Sequence, residues 1–454
     1  MITNRKIHKI SGLSAGIVIL ILSISGLFLN HDNWKFLHNI TFETVPSHLY
    51  KLNNRSFNSY WINPSNKNHI ITAGVRGVFE SLDNSNTFLK TLDEIIYSIK
   101  DDGKNIYVAT SNGIFKKGFE ELTYSKFLLE DKFISSLNIY KDKLVAVEDK
   151  TNIYLIDLNT NQIESINQVD IPAELLKQDI TLSRFIRDLH YGRGLFDGDI
   201  SLLINDYATV VLIILGTSGF ILWFLIKKIK TDKTYKKRIK FFVKIHSNIF
   251  SLLAIVPIII LLITGIFLDH GKDLRAFMQN NIIPNEYLPP VYKTLKSDIW
   301  GADYNGGSFY IGNRYGVFKT NDFKKYEFVS KGFAYSMNRK DEVLYVGGMG
   351  SANRVLENDN WIILKNTPHM FKDVFIEDKK INYFSSHNHD LEIPKFQNIT
   401  LYSLMFSLHD GSFFASWWIW INDIASILLL VLLISGIFRW YFRSTLRRRI
   451  NKWI

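Results

Sequence analysis

Residues 10–29 form twenty consecutive uncharged, mostly apolar positions held between His8 and His31. At ~1.5 Å rise per residue, a helix over this stretch sets the two imidazoles about 35 Å apart, one at each face of a bilayer. The pattern is written twice. Residues 246–270 (HSNIFSLLAIVPIIILLITGIFLDH) again place an apolar run between two histidines, His246 and His270, and Ser25-Gly26-Leu27-Phe28-Leu29 is echoed by Thr264-Gly265-Ile266-Phe267-Leu268. A histidine-bracketed membrane span that occurs twice constrains the chain more than any other feature.

Residues 207–226 and 424–438 are also long and apolar enough to be membrane helices, the latter gaining length if 419–421 are included. The expected fold is therefore a membrane bundle of four transmembrane helices built from a duplicated two-helix unit. The first span has a long apolar core with no small-x-small cleavage site after it, which argues for a retained anchor over a signal peptide. Charge sets the orientation. The N-terminus carries three basic residues, the linker 227–244 nine against the single acid Asp232, and the tail from Arg439 six. Of the chain's 54 basic and 43 acidic residues, these segments hold 18 and 1, which leaves 36 and 42 elsewhere. The positive-inside rule then puts both termini and the linker in the cytoplasm, and the net charge of +11 is a topology signal. It is not the footprint of a nucleic-acid-binding protein.

The second span of each half repeats as closely as the first. Leu189-His190 matches Leu408-His409, Ile204-Asn205-Asp206 matches Ile421-Asn422-Asp423, and Ser218-Gly219 matches Ser435-Gly436. Both halves enter from the cytoplasm, so their symmetry axis should run along the membrane normal.

The outer segments differ in character. Short alternating runs bounded by Gly, Asn and Asp, as half-buried antiparallel strands require, begin near His69, Asn105, Lys143, Ser308, Val343 and Lys380. Within each segment the spacing is 35–38 residues, and Gly77-Val78-Phe79, Gly113-Ile114-Phe115 and Gly316-Val317-Phe318 recur at one position. A period near 40 suggests propeller blades. Three blades cannot close a ring, so the two outer segments are expected to combine into one all-β propeller of six or seven blades, with two separate small β domains as the alternative. The expected order is span 1–31, β segment 32–188, span 189–227, basic linker 228–245, span 246–270, β segment 271–407, span 408–442 and basic tail 443–454.

Cysteine is absent, which excludes disulfides, iron–sulfur clusters and covalently attached c-type haem. Six of the twelve histidines flank the spans: His8 and His246 on the cytoplasmic side, His31, His190, His270 and His409 on the other. A single histidine at a helix end is ordinarily an interfacial polar residue. Recurrence of all three positions in the second half points instead to ligands, because neutral imidazole is an axial ligand of haem iron and two facing helices can supply a pair. Gly26, Gly219, Gly265 and Gly436 each follow Ser or Thr, which suits either close helix packing or the approach of a flat macrocycle. His8 and His31, 23 residues apart, fall roughly 140° out of phase at ~100° per residue, so one straight helix cannot present both to the same seam. Either the helix ends before His31 or that histidine serves a different neighbour; Pro257 could kink the third helix and change the phase there. Asn205-Asp206 and Asn422-Asp423 read as N-caps over proton carriers. His387 and His389 are a weaker metal candidate, a surface turn being the plainer reading. Trp223, Trp417, Trp418, Trp420 and Trp440 read as an interfacial belt. No phosphate loop, nucleophile elbow or dinucleotide fingerprint is present, so no catalytic acid–base residues are assigned.

The pattern H-x3-G, apolar run, S-G-L-F-L-N-H, answered by L-H-x-G and a helix containing S-G, resembles the PepSY-associated transmembrane family. It is carried by His8, Gly12, Gly26, Asn30, His31, His190 and Gly192, and by His246, Gly265, His270, His409 and Gly411. In the second half Asn248-Ile249-Phe250 replaces the Gly12 region and Asp269 replaces Asn30. Some members are bacterial inner-membrane haem proteins that reduce ferric siderophores in the periplasm, and they carry small α/β modules where this chain has β repeats. The resemblance implies an inner-membrane b-type haem oxidoreductase with one to three haems, fed by quinol or a cytoplasmic reductase. Its periplasmic acceptor would be chelated Fe(III), another metal or a protein. On this reading an inner haem uses His8 and His246, and outer haems use His31, His270, His190 and His409. The rival readings are a non-redox membrane-anchored propeller that binds a periplasmic partner, and a transporter, which the shared orientation of the halves and the uncharged helix centres disfavour.

Overall fold

The computed structural model describes residues 4–229, 232–386 and 391–450, so the His387 and His389 candidate lies outside the described residues. The chain divides into a helical unit (Met1–Asp32, Thr181–Ile282, Tyr402–Ile454) and a β unit (Asn33–Ile180, Ile283–Leu401). The boundaries at 180, 282 and 401 fall earlier or later than expected. The short helices ending at His190 and His409 belong with the spans and not with the strands.

In the helical unit, α1 (Asn4–Leu29) is followed by the short α2 (Leu182–His190) and by α3 (Ile200–Lys228). The third apolar segment is broken into α4 (Lys236–His246), α5 (Ile249–Leu253) and α6 (Ile255–Asp269). Then come α7 (Leu401–His409), the counterpart of α2, and α8 (Ile419–Ile450), the counterpart of α3. Among the described residues three helices are long and apolar enough to cross a membrane, and a fourth span exists only if the two parts of the third segment count as one, bent by 75°. That bend falls at Ala254, three residues before Pro257. Proline has no N–H for the carbonyl four residues back, that of Leu253, and its ring crowds it, so the helix re-starts with Pro257 in its first turn.

The spans pack through small residues. Ala15, Ala208, Ala254 and Ala425 are buried together with Ile19, Val211, Leu212, Ile258 and Leu433. A Cβ on Gly16 would lie 2.8 Å from the Phe220 ring, and one on Gly216 2.8 Å from Leu20, so α1 and α3 interlock through glycines. Large apolar side chains such as Ile17, Leu203, Val256 and Ile424 are exposed on the outer faces, as a lipid-facing surface requires.

Among the described residues the β unit is built mainly of six antiparallel sheets. Five have four strands in sequence order (57–92, 96–128, 134–168, 301–331 and 334–363), and the sixth pairs Asp373–Glu377 with Lys380–Phe384. The first strand of each sheet neighbours the first strand of the next, and that of the sixth returns to that of the first, so the two outer segments form one closed ring. A short pairing of Thr41–Phe42 with Ile399–Thr400 joins its chain ends. The recurring Gly-Val/Ile-Phe opens the third strand of the first, second and fourth sheets. A Cβ would lie 2.4 Å from Leu92 O at Gly77, 2.7 Å from Leu129 O at Gly113 and 2.0 Å from Ser330 O at Gly316. Only glycine lets the fourth strand approach so closely. Charges are clamped around the ring: buried Lys100 of the second sheet donates to Asn338 and Asp373 of the fifth and sixth at 2.8 Å each, and Arg339 pairs with Asp303. Such buried charges stay in place only because each is paired.

Candidate functional site

Four of the five Ser/Thr-Gly steps inside the span helices each seat one histidine from the other half of the duplication; at the fifth, Ser11-Gly12, a Cβ on the glycine would meet Leu432 instead. Ser435 Oγ lies 2.8 Å from His8 Nδ1, Ser218 Oγ 2.9 Å from His246 Nδ1, Ser25 Oγ 3.0 Å from His409 Nδ1 and Thr264 Oγ1 3.0 Å from His190 Nδ1. The following glycine lies beside the ring. A Cβ would stand 3.8 Å from His8 Cε1 at Gly436, 3.3 Å from His246 Cε1 at Gly219, 3.2 Å from His409 Cε1 at Gly26 and 3.6 Å from His190 Cε1 at Gly265. The sequence left these glycines between helix packing and a macrocycle. All four lie beside an imidazole, closely at Gly26 and Gly219 and at ordinary contact distance at Gly265 and Gly436.

The same hydroxyls fix the tautomer. Each has a single proton, which is given to a carbonyl of its own helix one turn back: Ser25 to Ile21 at 2.6 Å, Thr264 to Ile260 at 2.7 Å, Ser218 to Leu215 at 3.2 Å and Ser435 to Leu432 at 3.1 Å. Toward the histidine the oxygen must then accept, so the network assigns the ring proton to Nδ1 and the lone pair to Nε2. A neutral imidazole with Nδ1–H held by an oxygen and a lone pair on Nε2 is the form that binds a metal.

The four rings meet as two pairs. His8 and His246 have centroids 6.2 Å apart, and so do His190 and His409. Two metal–nitrogen bonds of ~2.0–2.1 Å in line, with the half-width of each ring, separate centroids by about 6 Å. Each pair is therefore spaced for one metal ion between its nitrogens, and these four residues could hold it. Among the described residues no group of three or more His, Cys, Asp or Glu side chains is placed to hold a metal. Such an ion would need most of its coordination from something other than the protein, as a macrocycle supplies. Along α1, His8 and the outer seat Ser25 are 17 residues apart, which places the two pairs ~25 Å from one another along the axis, near the thickness of a hydrocarbon core.

The other two bracketing histidines have a different surrounding. α1 ends at Leu29, so His31 lies past it, where Nε2 meets Asp206 Oδ2 at 2.9 Å. His270 Nε2 meets Asp423 Oδ2 at 2.7 Å. Both alternatives posed by the helix phase hold: the helix stops, and the histidine serves another neighbour. The N-cap expectation for the Asn-Asp pairs is corrected. Asp199 is the N-cap of α3, and Asn205 and Asp206 lie in its second turn. Asn205 donates to the carbonyls of Leu189 and His190, Asn422 to that of His409, and Asn30 donates to Asp206 Oδ1 at 2.9 Å. Asp269 stands where Asn30 would be in the second half, and buried Asp423 Oδ1 has no hydrogen-bond partner among the described residues.

The L-H-x-G motif ends the short helices just after the ligand candidate. Gly192 (φ +66°) and Gly411 (φ +78°) sit in the left-handed region, where a side chain would be strained, and stop α2 and α7 so that His190 and His409 are each the last helical residue. Of the belt tryptophans, Trp417 and Trp420 are exposed and Trp420 also packs on His270 with centroids 5.0 Å apart.

The family model described as the PepSY-associated TM region matches residues 135–443. No curated relative matches at a significant level. Among solved structures, the chain is similar to PorZ of Porphyromonas gingivalis, a surface component of the type-IX secretion system. That match has 8% identity and a TM-score of 0.35, over 71% of this chain and 29% of that one. It is also similar to the extracellular domain of the putative one-component system BT4673 of B. thetaiotaomicron, at 11% identity and a TM-score of 0.32, over 73% and 37%. The WD40 domain of Toxoplasma gondii coronin matches at 12% identity and a TM-score of 0.21, over 25% and 34%. The chain thus spans about a third of the length of these solved chains.

Proposed function

The chain belongs to the PepSY-associated TM family, and from that premise and its two hydroxyl-seated histidine pairs we propose that it is a b-type haem oxidoreductase of the bacterial inner membrane. His8 and His246 would hold one haem toward the cytoplasm, and His190 and His409 a second on the outer side. Bound between two imidazoles, a haem supplies reversible one-electron chemistry without exchangeable ligands.

The remaining steps fall to the chain's own residues. Ser435, Ser218, Thr264 and Ser25 keep each Nδ1 protonated and each ring in a fixed plane, while Gly436, Gly219, Gly265 and Gly26 lie beside it. The apolar layer of Ala15, Ile19, Val211 and Leu433 between the pairs excludes water and protons from the path. His31 and His270, held by carboxylates, would orient the outer helix ends. Both termini and the linker 228–245 would be cytoplasmic, and the ring of six sheets, read as a six-bladed propeller, periplasmic. Electrons would come from quinol or a cytoplasmic reductase, with chelated ferric iron or another metal as the acceptor.

The observation that supports the reading is the twofold recurrence of one spacing, 6.2 Å between rings whose Nδ1 atoms each meet a hydroxyl, with the ring planes 85° apart in the inner pair and 55° in the outer. The test is a dithionite-reduced minus air-oxidised visible spectrum of the detergent-solubilised protein, with pyridine haemochrome quantitation. Two low-spin b haems per chain are expected, one lost in His8→Ala and one in His409→Ala. A featureless spectrum from protein made with ample haem would sink the reading and leave the membrane-anchored propeller as the alternative.

A further inference from the structure

The β unit contains a cavity of about 300 Å³ lined by His38, Asn39, Thr41, Arg76, Phe79, Lys90, Asp93 and Phe396. It lies where the chain enters and leaves this unit, beside the pairing of Thr41–Phe42 with Ile399–Thr400. Its cation is unusual. The Arg76 guanidinium lies over Phe396, its carbon 3.5 Å from the ring centroid, and donates to the amide oxygens of Asn53 at 3.1 Å and Asn398 at 2.8 Å. Among the described residues no carboxylate pairs with it. Burial without a counter-charge pulls its pKa down to about 10.

The surrounding charges do not repair this. Asp93, the one carboxylate in the lining, is already shared by Lys90 and Lys35, and Lys35 also meets Glu94 at 3.3 Å. Arg76 is thus a half-buried fork over an aromatic ring, held by neutral groups and using only two of its N–H donors among the described residues. Carboxylates meet such a fork with paired, charge-assisted hydrogen bonds. The volume is at the small end of ligand pockets.

We propose that this cavity is a binding site for a small organic carboxylate anion, either free or as the shell of a metal chelate, with Arg76, backed by Phe396, as its anchor. The site is independent of the haem reading. A chain that binds the anion but shows no b-type spectrum keeps the site and loses the oxidoreductase.

Isothermal titration of the full chain in detergent with citrate, benzoate and ferric citrate tests it. Saturable binding of at least one of them is expected, weakened tenfold or more in Arg76→Gln and partly restored in Arg76→Lys, which keeps the charge but not the fork. Equal affinity for citrate and ferric citrate assigns the site to the free anion, and tighter binding of ferric citrate assigns it to the chelate. Because Arg76 also ties Asn53 to Asn398, Lys90→Gln serves as a second variant should Arg76→Gln not fold, and a threefold weakening is expected there. No saturable binding of any of the three carboxylates, or affinities unchanged in these variants, would overturn the proposal.

Discussion

At the residue scale, each of the four histidine-seating Ser/Thr-Gly steps acts through its hydroxyl, with the glycine beside the same ring. Removing the hydroxyl of Ser435 takes away the acceptor that holds Nδ1–H of His8, freeing the ring to turn and to change tautomer. Loss of such an outer partner typically costs 10–100-fold in metal affinity. Ser435→Ala should therefore lower haem retention at the inner pair by about that factor while the outer pair keeps its spectrum, and Ser435→Thr, which keeps the oxygen, should restore it. Haem titration of apoprotein followed by the α band reads both. The Ser/Thr-Gly steps were visible in the sequence, and so was their repetition. What they hold was not, because Ser435 and His8 lie 427 positions apart and only the folded helices bring them together. The 140° phase conflict did flag His31 correctly as off the seam of His8. The role of Asp206 was missed, although its recurrence as Asp423 beside a histidine at the same outer level was a usable signal.

At the scale of elements, alternation and turn residues gave the sheets, since each repeat start fell at or next to the second strand of a sheet. The strands that make the ring were harder to read. Inner strands such as Ile134–Tyr140 carry polar residues that meet partners from other sheets, so Asn138 and Lys100 look like surface positions until the ring closes. Its seam depends on Lys372, which precedes the sixth sheet and donates to Phe57 O at 3.1 Å and Asn58 Oδ1 at 2.7 Å of the first. Both partners are neutral, and burial, with Arg55 nearby, lowers the ammonium pKa from its usual 10.5 to about 8. An unfolded chain then binds more protons than the folded one between pH 8 and 10.5, so this group's destabilisation is full below pH 8 and is relieved as pH rises. Thermal melts should show the wild type gaining stability relative to Lys372→Met between pH 8 and 10, with a constant difference from pH 6 to 7.5. A difference that stays flat across the whole range would place the charge in solvent.

For the molecule as a whole, duplication explains why the seated histidines come in pairs of equivalent residues, His8 with His246 and His190 with His409. One half supplies the histidine and the other its seat, so neither half can build a site alone, and every seated histidine crosses the pseudo-twofold axis. His31 and His270 break this rule, since each meets a carboxylate of its own half. The proposed ligand set therefore separates cleanly by variant. His246→Ala should remove the same haem as His8→Ala, and His190→Ala the same as His409→Ala, with the double variant across pairs losing both. His31→Gln and His270→Gln should retain two haems and alter only their potentials, because imidazoles bound to Asp206 and Asp423 would act on the outer site through its helix ends. Pyridine haemochrome counts, paired with spectroelectrochemical titration of each variant, distinguish these outcomes. A lost haem in His31→Gln would mean that the carboxylate pairing gives way to ligation when haem binds, and would move the outer site toward the end of α1.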